Sequence, residues 1–515
     1  MKKKNKKIIN NKIRDLLSNQ KGMALLTTLI FVFILVTLAV ALLIMTGNDT
    51  KLSALQRDST KAFYIAEAGI EKTLYILKND YESDQDWNTG ITGHTSEPGD
   101  FDGGTYTVTL TIIDSNNVTI KSKGVVYNKS TRYVQVDATV ESLSIWDNAI
   151  FAGAGASGRV INGNVDIRGS VHLLGEEGGE AIDIEVEIGG TGGFGNNYDG
   201  MDPDLRSRIT DPPTTELNEE TGEEGLETLH AELRVKHGDV NLSGAATVGD
   251  PDIYGNSYKE TFDGVYINGD FGGNKGADNV YSDNGTEQPY DFGEGTFEFP
   301  TLDDDYINPD DGTSTPGYSY KNHYDENGLL ITESVIDSTV NDFTYSDGKG
   351  NSIDWKKDIA GKGKLTISGI IVINGNFSIG NKQEDPLGYI YEYAGTGTIV
   401  SKVDIFIHGD ILAEGIASFP EHNILGLIAY NDLNFATGDG DSQLKMMGAF
   451  YAEQKITSYK QNQIAGTFVS NYFDMGTNVP SIYQVPDLVN NIPPGMPGAK
   501  ITYSIHTSNW HEVHD

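Results

Sequence analysis

The sequence contains no cysteine, which excludes disulfide staples, thiolate metal sites and cysteine nucleophiles. Basic residues are scarce: 37 Lys and Arg face 74 Asp and Glu, giving a formal net charge of −37. An exterior this acidic argues against nucleic acid or anionic lipid as a partner of the bulk of the chain. HExxH, GxSxG and P-loop signatures are all missing. Proline is absent from Thr50 to Lys78, so nothing there interrupts a helix. One long hydrophobic run stands out, and it decides where the rest of the chain resides.

That run, Met23 to Thr46, follows Lys21-Gly22 and a leader holding Lys2, Lys3, Lys4, Lys6, Lys7, Lys12 and Arg14 against Asp15. At about 1.5 Å per residue it spans a hydrocarbon core of about 30 Å. The basic flank is expected to stay in the cytoplasm and the C-terminal bulk outside it. A secretory signal would have a shorter apolar region and a small-x-small cleavage site; Ala41-Leu-Leu-Ile-Met-Thr46-Gly47 fits poorly. A plain signal anchor is the simpler alternative. Beyond the run, Leu52, Leu55, Ala62, Ala66, Ile70, Leu74 and Leu77 recur at helical spacing, so the membrane helix should continue as an amphipathic one.

Basic leader, glycine and uncut hydrophobic helix together resemble the class III signal of type IV pilins and pseudopilins. Gly22-Met-Ala-Leu-Leu26 with Ala62-Phe-Tyr-Ile-Ala66-Glu67-Ala68-Gly69-Ile70-Glu71 is similar to the N-terminal domain of PilX-type minor pilins, over residues 15–80. The resemblance implies cleavage by a membrane prepilin peptidase between Gly22 and Met23, with methylation of the new N-terminus. It also implies partners, the other pilins, met through the helix. Ala62, Ala66, Glu67, Ala68 and Gly69 form the expected packing motif, its small residues letting neighbouring helices approach closely. Major pilins carry Glu at the fifth mature position; here it is Thr27. A hydroxyl cannot offset a buried ammonium, so the expected role is a low-copy priming or tip subunit. Without the leader, which has eight basic residues and one acidic, the net charge becomes −44.

After a polar stretch, residues 103–113, 117–124 and 131–140 alternate with period two and are rich in β-branched residues, predicting three antiparallel strands. With the helix they make an α+β stem, whose β head is expected over 80–144.

From Ile150 a short motif recurs: apolar, Gly, then Asn or Asp. It reads Ile161-Asn-Gly163-Asn164, Val235-Lys-His-Gly238-Asp239, Ile267-Asn-Gly269-Asp270, Ile373-Asn-Gly375-Asn376 and Ile407-His-Gly409-Asp410. Degenerate copies include Ile428-Ala-Tyr-Asn431-Asp432 and Phe468-Val-Ser-Asn471-Tyr472. The last copies, at Ile428, Phe450 (Phe450-Tyr-Ala-Glu453-Gln454) and Phe468, step by about 18–22 residues, which suits one coil of a parallel β-helix. A β-sandwich or jelly roll is the alternative. Gly397-Thr-Ile-Val-Ser-Lys402, Gly426-Leu-Ile-Ala429, Gly448-Ala-Phe-Tyr-Ala-Glu453 and Ile492-Pro-Pro-Gly-Met-Pro-Gly498 resemble the large domain often attached to PilX-type stems. An all-β ectodomain is thus expected over 145–478, with acidic insertions at about 176–232 and 279–346. A Pro-rich extended tail over 479–515 should shield the solenoid's last edge.

Two chemistries remain to be weighed. Calcium could use Asp303, Asp304, Asp305, Asn308 and Asp310, or Asp347, Asn351 and Asp354, although neither set has EF-hand spacing. His506, His511 and His514 form a loose C-terminal cluster that reads as a surface end. The corner residues Asn164, Asp239, Asp270, Asn376 and Asp410 are the candidates for a glycosidase-like wall, with its carboxylates supplied by the Asp residues, but Asn and Asp also suit turn backbones. The expectation is a non-enzymatic, cofactor-free pilus subunit. It is anchored in the cytoplasmic membrane by one helix and displays its ectodomain for adhesion to a surface or glycan. A membrane-anchored adhesin independent of a pilus, or a polysaccharide-active enzyme, are the alternatives.

Overall fold

The computed structural model describes residues 20–513 except 85–94, 96–102, 114–116, 127–128, 156–159, 177–183, 216–224, 287, 293–296, 310–312, 358–361, 382, 387 and 499–501. The chain divides into two compact units, Met1–Ser142 with Thr502–Asp515, and Leu143–Ile501.

In the first unit a single helix, α1 (Gln20–Asp84), covers a small sheet. Three antiparallel strands, β1 (Gly104–Ile112), β2 (Asn117–Val126) and β3 (Ser130–Leu143), follow in order. Their register pairs Val108 with Ser122 and Ile120 with Val136. Alternate residues point under the helix, so Val108, Val118, Ile120, Val134 and Val136 are fully buried. The fourth strand, Thr502–Val513, lies beside β3 and comes from the far end of the chain.

The tail expected as one extended piece over 479–515 is therefore divided. Ser481–Tyr483 pairs inside the large unit, Pro486–Asn490 forms a 3-10 turn, and Thr502–Val513 completes the stem sheet. The open edge of β3 supplies the reason, since its unpaired backbone groups take up the last strand.

The second unit is all-β apart from short helices, and its strands fall into parallel ladders. One ladder runs Leu329–Ile331, Ile371, Ile399, Leu427, Phe450, Phe468, Ile150–Ala152, Val171–Leu173, Glu232–Val235, Gly264–Ile267. A second runs Val335–Ile336, Phe377–Ile379, Ile405–Ile407, Asp432–Phe435, Ile456, Phe473, Ile161–Gly163, Ile184–Ile188, Asp239–Leu242, Phe271–Gly272. A third joins Lys362–Thr366 through Ile390–Ala394, Asp410–Ala413, Met446, Ile464 and Ser481–Tyr483 to Asp166–Arg168 and Gly193–Gly195. Antiparallel pairing among the described residues of this unit is confined to segments within 305–319, 343–368 and 214–227. The antiparallel sandwich considered from sequence does not fit these ladders.

The chain enters each ladder partway along it. It runs from Ile150 outward to Phe271–Gly272, resumes at Leu329 at the opposite end, and works back. The last circuit then closes on the first, with Phe468 paired to Ile150. Both chain ends can thus return to the same four-stranded sheet. Inside, aliphatic and aromatic side chains stack. Phe468 lies 5.3, 5.1 and 6.3 Å, centroid to centroid, from Phe435, Phe450 and Phe473, and all four are buried.

The two stretches expected as insertions contribute rungs as well as excursions. Ile184–Ile188 and Gly193–Gly195 belong to the ladders, as do Leu329–Ile331 and Val335–Ile336. The Glu219–Glu224 cluster lies outside the described residues. The Pro-rich segment lies across one face of the stack rather than over its last edge. Thr398 donates to Pro494 O at 2.6 Å, Tyr324 to Gly495 O at 2.7 Å and Trp146 Nε1 to Pro497 O at 2.9 Å.

Candidate functional site: the helix and the corner residues

The first half of α1 is apolar on all sides, its window of mean hydropathy 3.0 leaving no residue buried, and by length and composition it can cross a membrane. Leu25 is 74% exposed and Phe33 72%. Gly22 and Met23 lie within the helix. Hydroxyls along this half are satisfied by the helix itself: Thr27 donates to Ala24 O at 3.0 Å, Thr37 to Ile34 O at 2.8 Å and Thr46 to Leu42 O at 2.8 Å. That removes the penalty of carrying a bare donor into lipid.

Farther along, one stripe turns inward. Asp58, Ala62, Ile65, Ala66, Gly69, Ile70, Thr73 and Leu77 are buried, while Leu52 and Leu55 stay 56% and 58% exposed. The packing motif expected to meet neighbouring helices instead sits, in part, on the molecule's own sheet. A methyl group on Gly124 of β2 would overlap the Ala62 carbonyl and stand 2.6 Å from Ala66 N. One on Gly69 would stand 2.9 Å from the Tyr106 ring. Glu67 and Ala68 are half-buried at the margin. Small residues mark a close approach, and here the partner is a strand of the same chain.

Polar groups fix this packing. Arg132 on β3 donates to Ser59 Oγ from Nε at 2.8 Å and Nη2 at 2.6 Å, and pairs with Glu512 of the last strand at 2.7 Å. Asp137 accepts from Thr119 at 2.7 Å and from Asn509 at 2.9 Å. These bonds, with Asn509 first and Thr119 second, hold its carboxyl below the usual range. Burial works to raise the Asp58 carboxyl, but the hydrogen bond from Arg57 and the charge of Lys129 outweigh it, so its pKa is lowered.

In the large unit the repeated Asn and Asp residues stand at turns between ladders and bond the next circuit. Asp239 accepts from Asp270 N at 2.8 Å, Asp410 from Lys445 N at 2.9 Å, and Asn164 from Gly189 N at 3.2 Å. Asn376 accepts from Asp404 N at 3.4 Å. The acids considered for calcium go separate ways. Asp303 pairs with Lys321 at 2.8 Å, Asp304 accepts from Thr301 N at 2.7 Å and Asp305 from Gly317 N at 2.7 Å. Asp347 is taken by Lys349 N and Asn351, and Asp354 pairs with Lys356 at 2.7 Å. Among the described residues no three His, Asp or Glu side chains converge as a metal site. Asp310, His514 and the side chain of His506 lie outside the described set, and His511 is exposed.

Residues 21–71 match the PilX N-terminal family model. The PilX segment thus takes in the whole exposed apolar half of α1 and the sheet-facing Ala62, Ala66 and Gly69. No curated protein matches the chain. Among solved structures, the crystal structure of the competence-associated pilin ComZ from Thermus thermophilus is similar, with a TM-score of 0.52 and 18% identity over 88% of this chain and 97% of that one. At that identity the likeness is one of fold. Sequence reasoning missed the last strand. The alternating Thr502-Tyr-Ser-Ile505 was its only local sign.

Proposed function

We propose that the protein is a non-enzymatic minor subunit of a type IV pilus or a related secretion filament. The observation that carries this reading is a PilX-matching helix whose first half is bare and apolar while its second half is locked to a sheet. Such a helix needs lipid or other apolar helices around it. The cytoplasmic membrane holds it before assembly, with the large unit outside, and neighbouring pilins surround it afterwards.

Prepilin peptidase cuts between Gly22 and Met23. Thr27 spends its hydroxyl on Ala24 O and offers no carboxylate to a neighbour's new ammonium, which favours a priming or tip position. The large unit is a parallel β-helix whose two arms meet at the Phe468–Ile150 seam. The constant order in which the chain visits the three ladders supports that reading, as do the short, inward-facing strands. The β-helix is displayed for adhesion or surface contact, and its acidity turns it away from nucleic acid.

Expression with and without prepilin peptidase, followed by N-terminal sequencing, tests the assignment. The mature chain should begin at N-methylated Met23 and co-purify with sheared filaments. Retention of residues 1–22 together with absence from filaments would overturn it.

A further inference from the structure

The turns that follow the second ladder line up along one corner of the large unit, and two grooves open there. A groove of about 380 Å³ is lined by residues including Ser378, Asn381, His408 and Asp439. Another, of about 360 Å³, is lined by Asn164, Ser243, Gly476 and others. A single rung, ending at Ser458, lies between the two sets of turns, and its corner carries Tyr459. At about 4.8 Å per rung the corner extends about 40 Å.

Each part has the chemistry of a hydroxyl-binding surface. His408 Nδ1 lies 2.7 Å from Asp441 Oδ2, and that carboxylate, 3% exposed, also accepts from Gly438 N at 2.7 Å. With Nδ1 turned to Asp441, Nε2 is the ring nitrogen left to meet a ligand hydroxyl. A pair serving only to pin the loop would need no groove beside it, yet the His408 side chain stays 21% exposed there. Tyr459 is 40% exposed, donates to Asp474 at 3.1 Å, and lies close over Gly476, where a methyl group would stand 2.9 Å from its ring. An oriented, part-exposed ring between polar grooves is a stacking platform. Among the described residues no Lys or Arg lines either groove, whereas Glu187, Asp439 and Asp441 do, so anionic ligands are disfavoured.

We infer that this corner is a binding track for an extended, neutral, hydroxyl-rich polymer: a polysaccharide strand lying along the stack. Tyr459 packs on one sugar ring, with His408 Nε2 and the Asn164 carboxamide meeting hydroxyls on either side. The inference deepens the proposed display role and rests on it for the setting in which the polymer is met.

The full chain in lipid nanodiscs is assayed by affinity electrophoresis and interferometry against glucomannan, hydroxyethylcellulose and dextran, with polygalacturonate and duplex DNA as anionic probes. At least one neutral linear polymer should bind, about tenfold tighter than its tetrasaccharide, and Tyr459→Ala should weaken it about tenfold while Tyr459→Phe preserves it. His408→Ala should also weaken binding, with the thermal midpoint as a check on folding. Binding to none of the neutral polymers, preference for an anionic one, or full binding by Tyr459→Ala would overturn the inference. A chain that enters filaments yet binds no neutral polymer refutes the track and leaves the pilin reading standing. One that binds but keeps residues 1–22 does the reverse.

Discussion

The stem sheet and the large unit solve the same burial problem with different strands. β1, β2 and β3 are 9, 10 and 14 residues long and alternate buried with half-buried positions, because only one face is covered, by α1. Rungs such as Ile150–Ala152 and Val171–Leu173 have three residues, all buried. In the stem, order comes from a long helix lying on local antiparallel pairs. In the large unit a three-residue strand has almost no stability of its own, and order comes from the neighbouring circuits. The stem depends on fit at a few close contacts, the large unit on a continuous interior column.

Replacing Phe468 by Ala attacks the column where the two arms meet. It removes a buried ring that contacts Phe435, Phe450 and Phe473, at a cost of about 3–5 kcal/mol. Calorimetry should show the transition of the large unit shifted down and that of the stem unchanged; a parallel fall in both would erase the contrast. The converse is Gly124→Val, whose side chain collides with the helix backbone at Ala62 and Ala66. Overpacking against backbone should cost the stem about 2–3 kcal/mol and leave the large unit's transition in place. An unchanged stem transition would mean that helix and sheet are not held by close fit.

The difference also sets what could be read in advance. The helix was legible because a proline-free apolar stripe has a strong period, and β1–β3 because one-sided burial imprints alternation on long strands. The parallel rungs are either buried throughout, as in Ile150–Ala152, or alternate over only a few residues, as in Phe377–Ile379 and Asp432–Phe435; they were visible through Gly-Asn and Gly-Asp corners such as Gly238-Asp239 and Gly375-Asn376. Those corners recur on more than one edge: Ile373 ends a first-ladder strand and Ile407 a second-ladder one. The order of the arms was hidden, since nothing local tells Phe468 to pair with Ile150 rather than with a later circuit. The helix motif was seen and its partner misjudged, because Ala62 and Gly69 report a close approach without saying to what. Asp239 and Asp410 were read as turn formers or carboxylate catalysts, and the backbone N–H groups that donate to them, Asp270 and Lys445, lie in the next circuit.

A milder probe addresses how the last strand is held. Arg132→Ala removes two bonds to Ser59 and the pair with Glu512, the latter 38% exposed on each side. Partial exposure limits the loss to about 1 kcal/mol. Hydrogen exchange should quicken along Thr502–Val513 and stay unaltered in the Phe468 rung. Equal protection in the variant would show that backbone pairing alone retains the strand.

The smallest effects concern acid, and they separate the units once more. Burial acts to raise the Asp263 carboxyl, but hydrogen bonds from His230 at 2.9 Å and Lys259 at 2.7 Å push it from the ordinary 3.8 down to about 2. A depressed carboxyl contributes stability that is complete above pH 3.8 and disappears as pH falls through about 2. Allowing for solvent screening, the contribution is about 1 kcal/mol. Asp137 in the stem is lowered too, by Asn509 and Thr119, yet it is more exposed to water and should weigh less. Asp263→Asn should flatten the large unit's loss of stability between pH 4 and 2, and Asp137→Asn should flatten the stem's more weakly, as followed by fluorescence melts at each pH. If both substitutions changed the two transitions alike, the units would be titrating as one cooperative body, and the separation between local fit and continuous column would fail.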